Sequence, residues 1–449
     1  MQGTEEKAQL KMPGSGMHRR ILGLAGPSIL ANMTVPLVGL VDLAITGHIG
    51  NASVIGGIAI GTMLFNLLYW NFGFLRVGTS GITAQAYGRQ DFETAMDTFS
   101  QGIVTALGSA LVIWAIQLPF LWVCFKLMDC TADAAKYAKI YFFIRIWAAP
   151  ATLSLMSFKG WFIGMQDTIS PMIDDIVVNV VNIVSSYLLA VTAHMGIAGV
   201  AWGTVIAQYT GIIVAVVIML VKFKKYLPLI NLKRCIHWKL MKSFFGVNVN
   251  LFIRSLCFMV IYVGFTALAS KYGDVQLAVS NIMMQLLMIF SYFCDGFAYA
   301  GEALCGRYIG EKNLPDLKEC VKDLFIWTMS IGVIFTLLYW VAGLPMFELM
   351  TSDRQVTYAS KPYLAWLVAM PFVSCAAFMW DGVYIGATAT VPVRNAMIAA
   401  AVGFVASYYL TAPFVGVNAI YIAYFVHLAV RAVWLTVTAK QSIFVEPFL

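Results

Sequence analysis

Twelve predominantly apolar stretches follow one another along the chain, at 24–48, 53–86, 98–124, 136–164, 170–192, 196–221, 243–270, 276–308, 319–345, 357–386, 392–413 and 415–438. Each is about 20 residues or longer, enough for a helix to cross roughly 30 Å of hydrocarbon. In lipid every backbone N–H and C=O must be satisfied inside the segment, which for apolar runs of this length leaves the α-helix. The expected fold is therefore an all-α polytopic membrane protein with twelve transmembrane helices. Composition closes off the soluble alternative: 11% of residues are charged, against about 25% in a soluble domain. The second, fourth, eighth and tenth runs exceed the bilayer and predict tilted helices or ends that project from it.

The charges that remain are concentrated in one place. Residues 222–242 read KFKKYLPLINLKRCIHWKLMK and hold seven of the chain's Lys and Arg residues. Basic loops are retained on the cytoplasmic side, so this connector is read as cytoplasmic. With both termini also inside, about seventeen Lys and Arg fall in cytoplasmic segments and about five in outer ones, the asymmetry that sets topology. The net charge of +7 is thus a topology signal and implies no nucleic-acid partner. Residues 1–20 are polar and lack the apolar core of a cleaved leader. The expected location is a bacterial inner membrane.

The connector separates two similar halves, 1–221 and 243–449, each with six runs. Shifted by 222 residues, KGWFIGMQDT (159–168) falls on DGVYIGATAT (381–390), Gly88 on Gly310, Tyr141 on Tyr363, and Tyr187-Leu188 on Tyr409-Leu410. An even number of spans per half makes a parallel repeat, two six-helix lobes about a pseudo-two-fold axis along the membrane normal. This is a known transporter plan, with the substrate path between the lobes.

Ionisable groups inside spans are costly and mark function. Asp42, Asn182, Ser186 and Thr204 fall at similar depth in the outer half of the first lobe, roughly 9–15 Å below the surface at 1.5 Å per residue. Asn182 and Ser186 share a helix face at i and i+4. Asp42 has no basic neighbour in its own span, which suits a proton carrier or cation ligand; a structural Asp bonded to backbone is the other reading. A second group, Arg254, Asp295, Glu302 and Asp381, falls lower in the second lobe, with Arg76, Lys159 and Arg394 at comparable depth. These either pair with one another or form a coupling-ion or substrate site. Lys139, Arg145 and Arg431 read as snorkelling or pairing residues, and Asp174 and Asp175 are expected at the cytoplasmic interface of the fifth span. Pro27 and Pro36 predict bends in the first span, a hinge near Asp42. Among the motifs, Walker A, H-E-x-x-H and G-x-S-x-G are missing and no His pair has ligand spacing. ATP-driven pumping and intramembrane enzyme chemistry lack support, and no catalytic or metal residue is assigned.

Several stretches, in order, resemble the multidrug and toxic compound extrusion (MATE) transporters, in their DinF-like branch: VDLAITGHIG (41–50), FGFLRVGTSGITAQAYG (72–88), GIAGVAWGTVIAQ (196–208), FIRSL (252–256), DGFAYAGEALCGRYIG (295–310) and DGVYIGAT (381–388). The resemblance covers nearly the whole chain. It implies alternating access and export of organic compounds against a proton or sodium gradient, with a first-lobe cation site at Asp42, Asn182 and Thr204. The branch commonly ends an N-I-V-x-D stretch in an acid. Here the run is Asn182-Ile183-Val184-Ser185-Ser186, so serine stands in its place. Asp381 resembles the position used by sodium-coupled members.

The expected function is a monomeric antiporter that exports amphipathic, cationic compounds in exchange for protons. It needs no cofactor beyond the coupling ion, and membrane lipids surround it. The alternatives are sodium-coupled efflux through the second-lobe site and a lipid or lipid-linked-precursor flippase.

Overall fold

The computed structural model describes residues 15–49, 52–127, 130–231, 234, 238–351 and 353–444, and among them there is no strand. The helices are α1 (Ser15–Ile49), α2 (Ala52–Trp70), α3 (Phe74–Gly88), α4 (Phe92–Leu127), α5 (Ala132–Arg145), α6 (Ala149–Gly164), α7 (Ile169–Tyr187), α8 (Ile197–Lys222), α9 (Trp238–Ser270), α10 (Asp274–Gly310), α11 (Leu314–Met350), α12 (Arg354–Ser360), α13 (Leu364–Gly386), α14 (Thr390–Val415) and α15 (Asn418–Ser442). Among the described residues eleven segments are long and apolar enough to cross a membrane, from Ser53–Gly88 to Asn418–Ser442. Helix α1, 35 residues long, stands in the place of the first predicted run, so the twelve-helix plan holds.

Three spans are each made of two helices. Short 3-10 turns join α2 to α3 at Asn71–Gly73, α5 to α6 at Ile146–Ala148 and α12 to α13 at Lys361–Tyr363. Proline stands in the first turn of α6 and in the turn before α13, where its missing N–H leaves no hydrogen bond unmade. Pro27 and Pro36 both lie within the continuous helix α1.

The 222-residue repeat is written into the backbone. Residues with left-handed φ recur at that offset: Gln90 and Lys312, Gln166 and Thr388, His194 and Gly416. So do the close helix contacts. A Cβ on Gly160 would strike the Arg76 backbone and one on Gly382 the Ala298 backbone. A Cβ on Gly164 would come 2.7 Å from the Ser80 carbonyl, and one on Gly386 2.6 Å from the Glu302 carbonyl. Each of these pairs differs from its counterpart by 222 at both positions, and glycine there lets two helix backbones touch. The packing follows: α3 against α6 matches α10 against α13, α4 against α6 matches α11 against α13, and α7 against α8 matches α14 against α15.

The chain forms two compact units, one of Leu30–Ser255 and one of Met1–Ile29 with Leu256–Leu449. Their boundaries lie inside α1, between its two prolines, and inside α9, not in the basic connector. In the first unit Phe65, Phe142 and Leu153 form one core and Trp161, Phe162 and Met219 another. In the second, Phe265, Phe290 and Tyr421 pack centrally. The first turns of α1 belong here, with Met17, Ile21 and Ala25 buried among Phe297, Tyr308 and Leu324. Arg20 also donates to the Tyr308 hydroxyl at 3.0 Å.

Candidate functional site

One face of α7 carries its polar groups inward. Its buried residues include Asp174, Val178, Asn182 and Ser186, a row at i, i+4 spacing that winds about 40° round the helix at each step. Helix α8 supplies small and hydroxyl residues opposite. The Asn182 side-chain amide donates to Thr204 Oγ1 at 3.1 Å, and Thr204 Oγ1 donates to the Val200 carbonyl at 3.2 Å. Ser185 Oγ donates to the Gly203 carbonyl at 3.1 Å, and Ser186 Oγ reaches the Val200 carbonyl at 3.5 Å. Ser186 itself packs against Gly203, where any Cβ would collide with it. The structure therefore brings Asn182, Ser186 and Thr204 together, as their depth predicts. Among the described residues the Asn182 carbonyl oxygen has no hydrogen-bond partner despite its burial, so the cluster leaves one acceptor for a proton donor or cation.

Helix α1 is tied to this face where Asn179 donates to Thr34 Oγ1 at 2.5 Å. Asp42 is eight residues beyond Thr34 on α1, and Tyr187 eight beyond Asn179 on α7. Both helices are odd-numbered spans and run the same way, so each climbs about 12 Å and Asp42 comes level with the top of the stripe. The Asp42 side chain lies outside the described residues.

The acidic pair on α7 divides. Asp175 forms an ion pair with Lys159, with side chains 29% and 26% exposed. Asp174 is instead 1% exposed. The two thus share a depth near the start of α7 but not a facing. Successive residues of a helix are rotated by about 100°, and only one of two neighbours can face the bundle.

In the second unit the structure pairs Asp381 on α13 with Arg431 on α15. Arg431 Nη2 donates to Asp381 Oδ2 at 2.6 Å, with side chains 0% and 9% exposed. The guanidinium also lies over Phe258 at 5.1 Å and Phe378 at 5.9 Å. One turn back along α15, His427 is buried against Tyr424 with ring centroids 4.5 Å apart. Arg431 was legible only as one of several intramembrane cations, because its partner is fifty residues away in sequence. Glu302, 1% exposed, and Asp295, half-buried, lie two turns apart on α10. Arg254 belongs to the other compact unit, so the four residues grouped by depth divide between the units. Arg145 donates to the Tyr141 hydroxyl at 2.8 Å and lies 4.8 Å over Phe65. Arg394 holds the Asn395 side chain.

The connector is anchored by charge. Arg234 pairs with Asp97 at 2.6 Å and Glu93 at 2.7 Å on α4, and Lys222 with Asp167 at 2.6 Å. The two carboxylates hold Arg234 above even the usual guanidinium value, chiefly through the Asp97 hydrogen bond.

The MatE family model matches residues 27–188 and again residues 251–411, once in each half. The chain belongs to the MatE family. It is 32% identical to the DNA damage-inducible protein F of Escherichia coli K12, over 92% of this chain and 90% of that one. Human multidrug and toxin extrusion protein 1 is 22% identical over 75% of this chain and 59% of its own. Among solved structures, an outward-facing multidrug resistance MATE family transporter aligns with TM-score 0.87 at 17% identity, over 96% of this chain and 99% of that one. A MATE in the bent conformation aligns with TM-score 0.86 at 18% identity, over 97% and 99%. These last two likenesses concern the fold. As a MatE protein the chain is an integral membrane transporter, not an enzyme, and its class handles small molecules and coupling ions.

Proposed function

We propose that this MatE protein is a secondary antiporter that exports amphipathic, cationic organic compounds in exchange for protons. It lies in a bacterial inner membrane with both termini cytoplasmic. The observation that carries the proton reading is the pair of site chemistries. In the first lobe the cluster offers neutral groups, Asn182, Ser186 and Thr204, at the level that Asp42 reaches along α1. A carboxyl set among neutral groups can load and unload one proton. In the second lobe the Asp381 carboxylate already has its counter-charge in Arg431 at 2.6 Å. A sodium ion there would sit beside a guanidinium in a medium of low dielectric, where like charges repel strongly.

Export needs no covalent chemistry. Coupling arises when proton and cargo bind the two access states with different affinity, by linkage. One pH unit supplies about 1.4 kcal/mol per proton, roughly a tenfold gradient of a neutral substrate. Asp42 exchanges the proton, and Asn182 and Thr204 hold its surroundings polar. The multidrug and toxin extrusion names of relatives support organic cargo.

The test is ethidium uptake into proteoliposomes under an imposed pH or sodium gradient, with wild type and Asp42→Asn. The pH gradient drives uptake into wild-type vesicles, and Asp42→Asn abolishes that uptake. Uptake driven by sodium alone, or full coupling in Asp42→Asn, overturns the reading.

A further inference from the structure

Asp174 is 1% exposed, and among the described residues neither of its carboxylate oxygens has a hydrogen-bond partner. It sits on α7 among packing surfaces from two other helices. A Cβ added to Gly211 of α8 would collide with Val178 Cγ2 at 2.5 Å and Leu155 Cδ1 of α6 at 2.9 Å and would meet Asp174 Oδ1 at an ordinary 3.4 Å, so the carboxyl lies beside the bare α8 backbone at Gly211 and close to α6. Helix α8 presents no ionisable side chain between Ile197 and Val221 except Tyr209, whose hydroxyl donates away to the Trp147 carbonyl at 3.0 Å. The charges Asp174 feels are Lys159 on α6 and Asp175 beside it, and those two are paired with each other. Helix α1 reaches α7 through Thr34, an uncharged contact with Asn179.

A carboxylate in such a place has lost its water and gained no donor, a state worth several kcal/mol against it. Neutralisation by a proton removes most of that penalty. Packing alone would be served by an apolar residue of the same size, and an acid kept there has the one property the apolar residue lacks. Its position gives that property a use. Asp174, Val178, Asn182 and Ser186 form a single inward stripe. Asp174 is eight residues from Asn182, about 12 Å along the helix, toward the end of α7 where the part-exposed Lys159–Asp175 pair meets solvent.

We propose that Asp174 is a second proton-carrying carboxyl of the first lobe, on the stripe shared with Asn182 and Ser186, which releases its proton to water beside the Lys159–Asp175 pair. The O–H bond breaks, its electron pair stays on the carboxylate, and the proton passes to water. The inference rests on proton antiport. It places a carboxyl twelve residues before Ser186, on the same buried i, i+4 row of α7.

Three measurements on the full-length protein in liposomes decide it: ethidium uptake driven by a pH gradient, ethidium counterflow at equal pH, and the infrared difference spectrum between acid and alkaline buffer. Asp174→Asn is expected to lose driven uptake, to keep counterflow, and to lose one protonated-carboxyl C=O band. Asp174→Glu regains driven uptake. Wild-type coupling in Asp174→Asn, or equal loss of counterflow and driven uptake, overturns the proposal. If wild type shows no pH-driven uptake, proton antiport itself fails. The infrared band then judges Asp174 alone: its loss in Asp174→Asn keeps the carboxyl as a proton carrier, and its absence from wild type ends the proposal.

Discussion

Asp381 and Arg431 are the clearest case of a residue-scale energy that matters. Both side chains are buried, 9% and 0% exposed, so removing one leaves the other charged in the bilayer interior. Breaking a buried pair costs about 3–5 kcal/mol, while replacing both members with apolar groups is often neutral. Arg431→Met is therefore expected to lower the melting temperature in detergent sharply. The double variant with Asp381→Leu should recover most of the loss. Additive losses in the double variant, measured by thermal unfolding, would show that the two charges do not depend on each other. Arg431 could not be assigned from the sequence, because a cation in a span either snorkels or pairs, and only tertiary contact distinguishes the two.

At the scale of the element, helix α4 depends on its cap. Asp91 accepts from the Thr94 backbone N–H at 3.0 Å and from the Thr94 hydroxyl at 2.6 Å. In the second lobe Asn313, 222 residues on, accepts from the Asp316 N–H at 3.2 Å at the start of α11. Burial raises the Asp91 value, but the two Thr94 hydrogen bonds and nearby Arg89 and Arg234 outweigh it, so the carboxyl lies below its ordinary range. A depressed folded-state value means that stability is present in full above the ordinary Asp value and is lost as pH falls through the folded one. The protection factors of amides 92–95, which correct exchange for its intrinsic pH dependence, should therefore fall in acid. Asp91→Ala should lower them at every pH, with a loss of about 1 kcal/mol typical of a helix cap. Asp91→Asn should keep the cap and remove the acid dependence; an acid dependence that survives in Asp91→Asn would assign it to another group.

At the scale of the whole molecule the open statement is orientation. Lys224 is exposed in the basic connector, and Lys271 is exposed between α9 and α10. With the connector cytoplasmic, and with the native cysteines replaced by serine or alanine, Lys224→Cys reacts with a membrane-impermeant thiol reagent in inverted vesicles and Lys271→Cys in right-side-out ones. The opposite pattern would reverse the topology. The hinge reading is also tested at this scale. Pro36→Ala should restore a helix hydrogen bond in α1 and slow transport without weakening ethidium binding, and unchanged transport would remove Pro36 from the mechanism.

Membership of the membrane class, the order of the spans and the 222-residue repeat were determined by the sequence alone, while several helices run past the predicted limits, α1 starting at Ser15 and not at 24. Class, order and repeat rest on local properties: an apolar run of bilayer length has one way to satisfy its backbone, and a repeat is a comparison of the chain with itself. The clustering of Asn182, Ser186 and Thr204 was also legible, since depth follows from counting residues along helices. What tertiary structure decided is which side of each helix faces inward and against what. It buried Asp174 where a neighbour one residue away meets solvent, and joined Asp381 to Arg431 across two helices. It also carried the first turns of α1 into the unit formed by the second half of the chain. Rotation about a helix axis changes no span length and no depth, so an apolar sequence leaves it open until the helices pack.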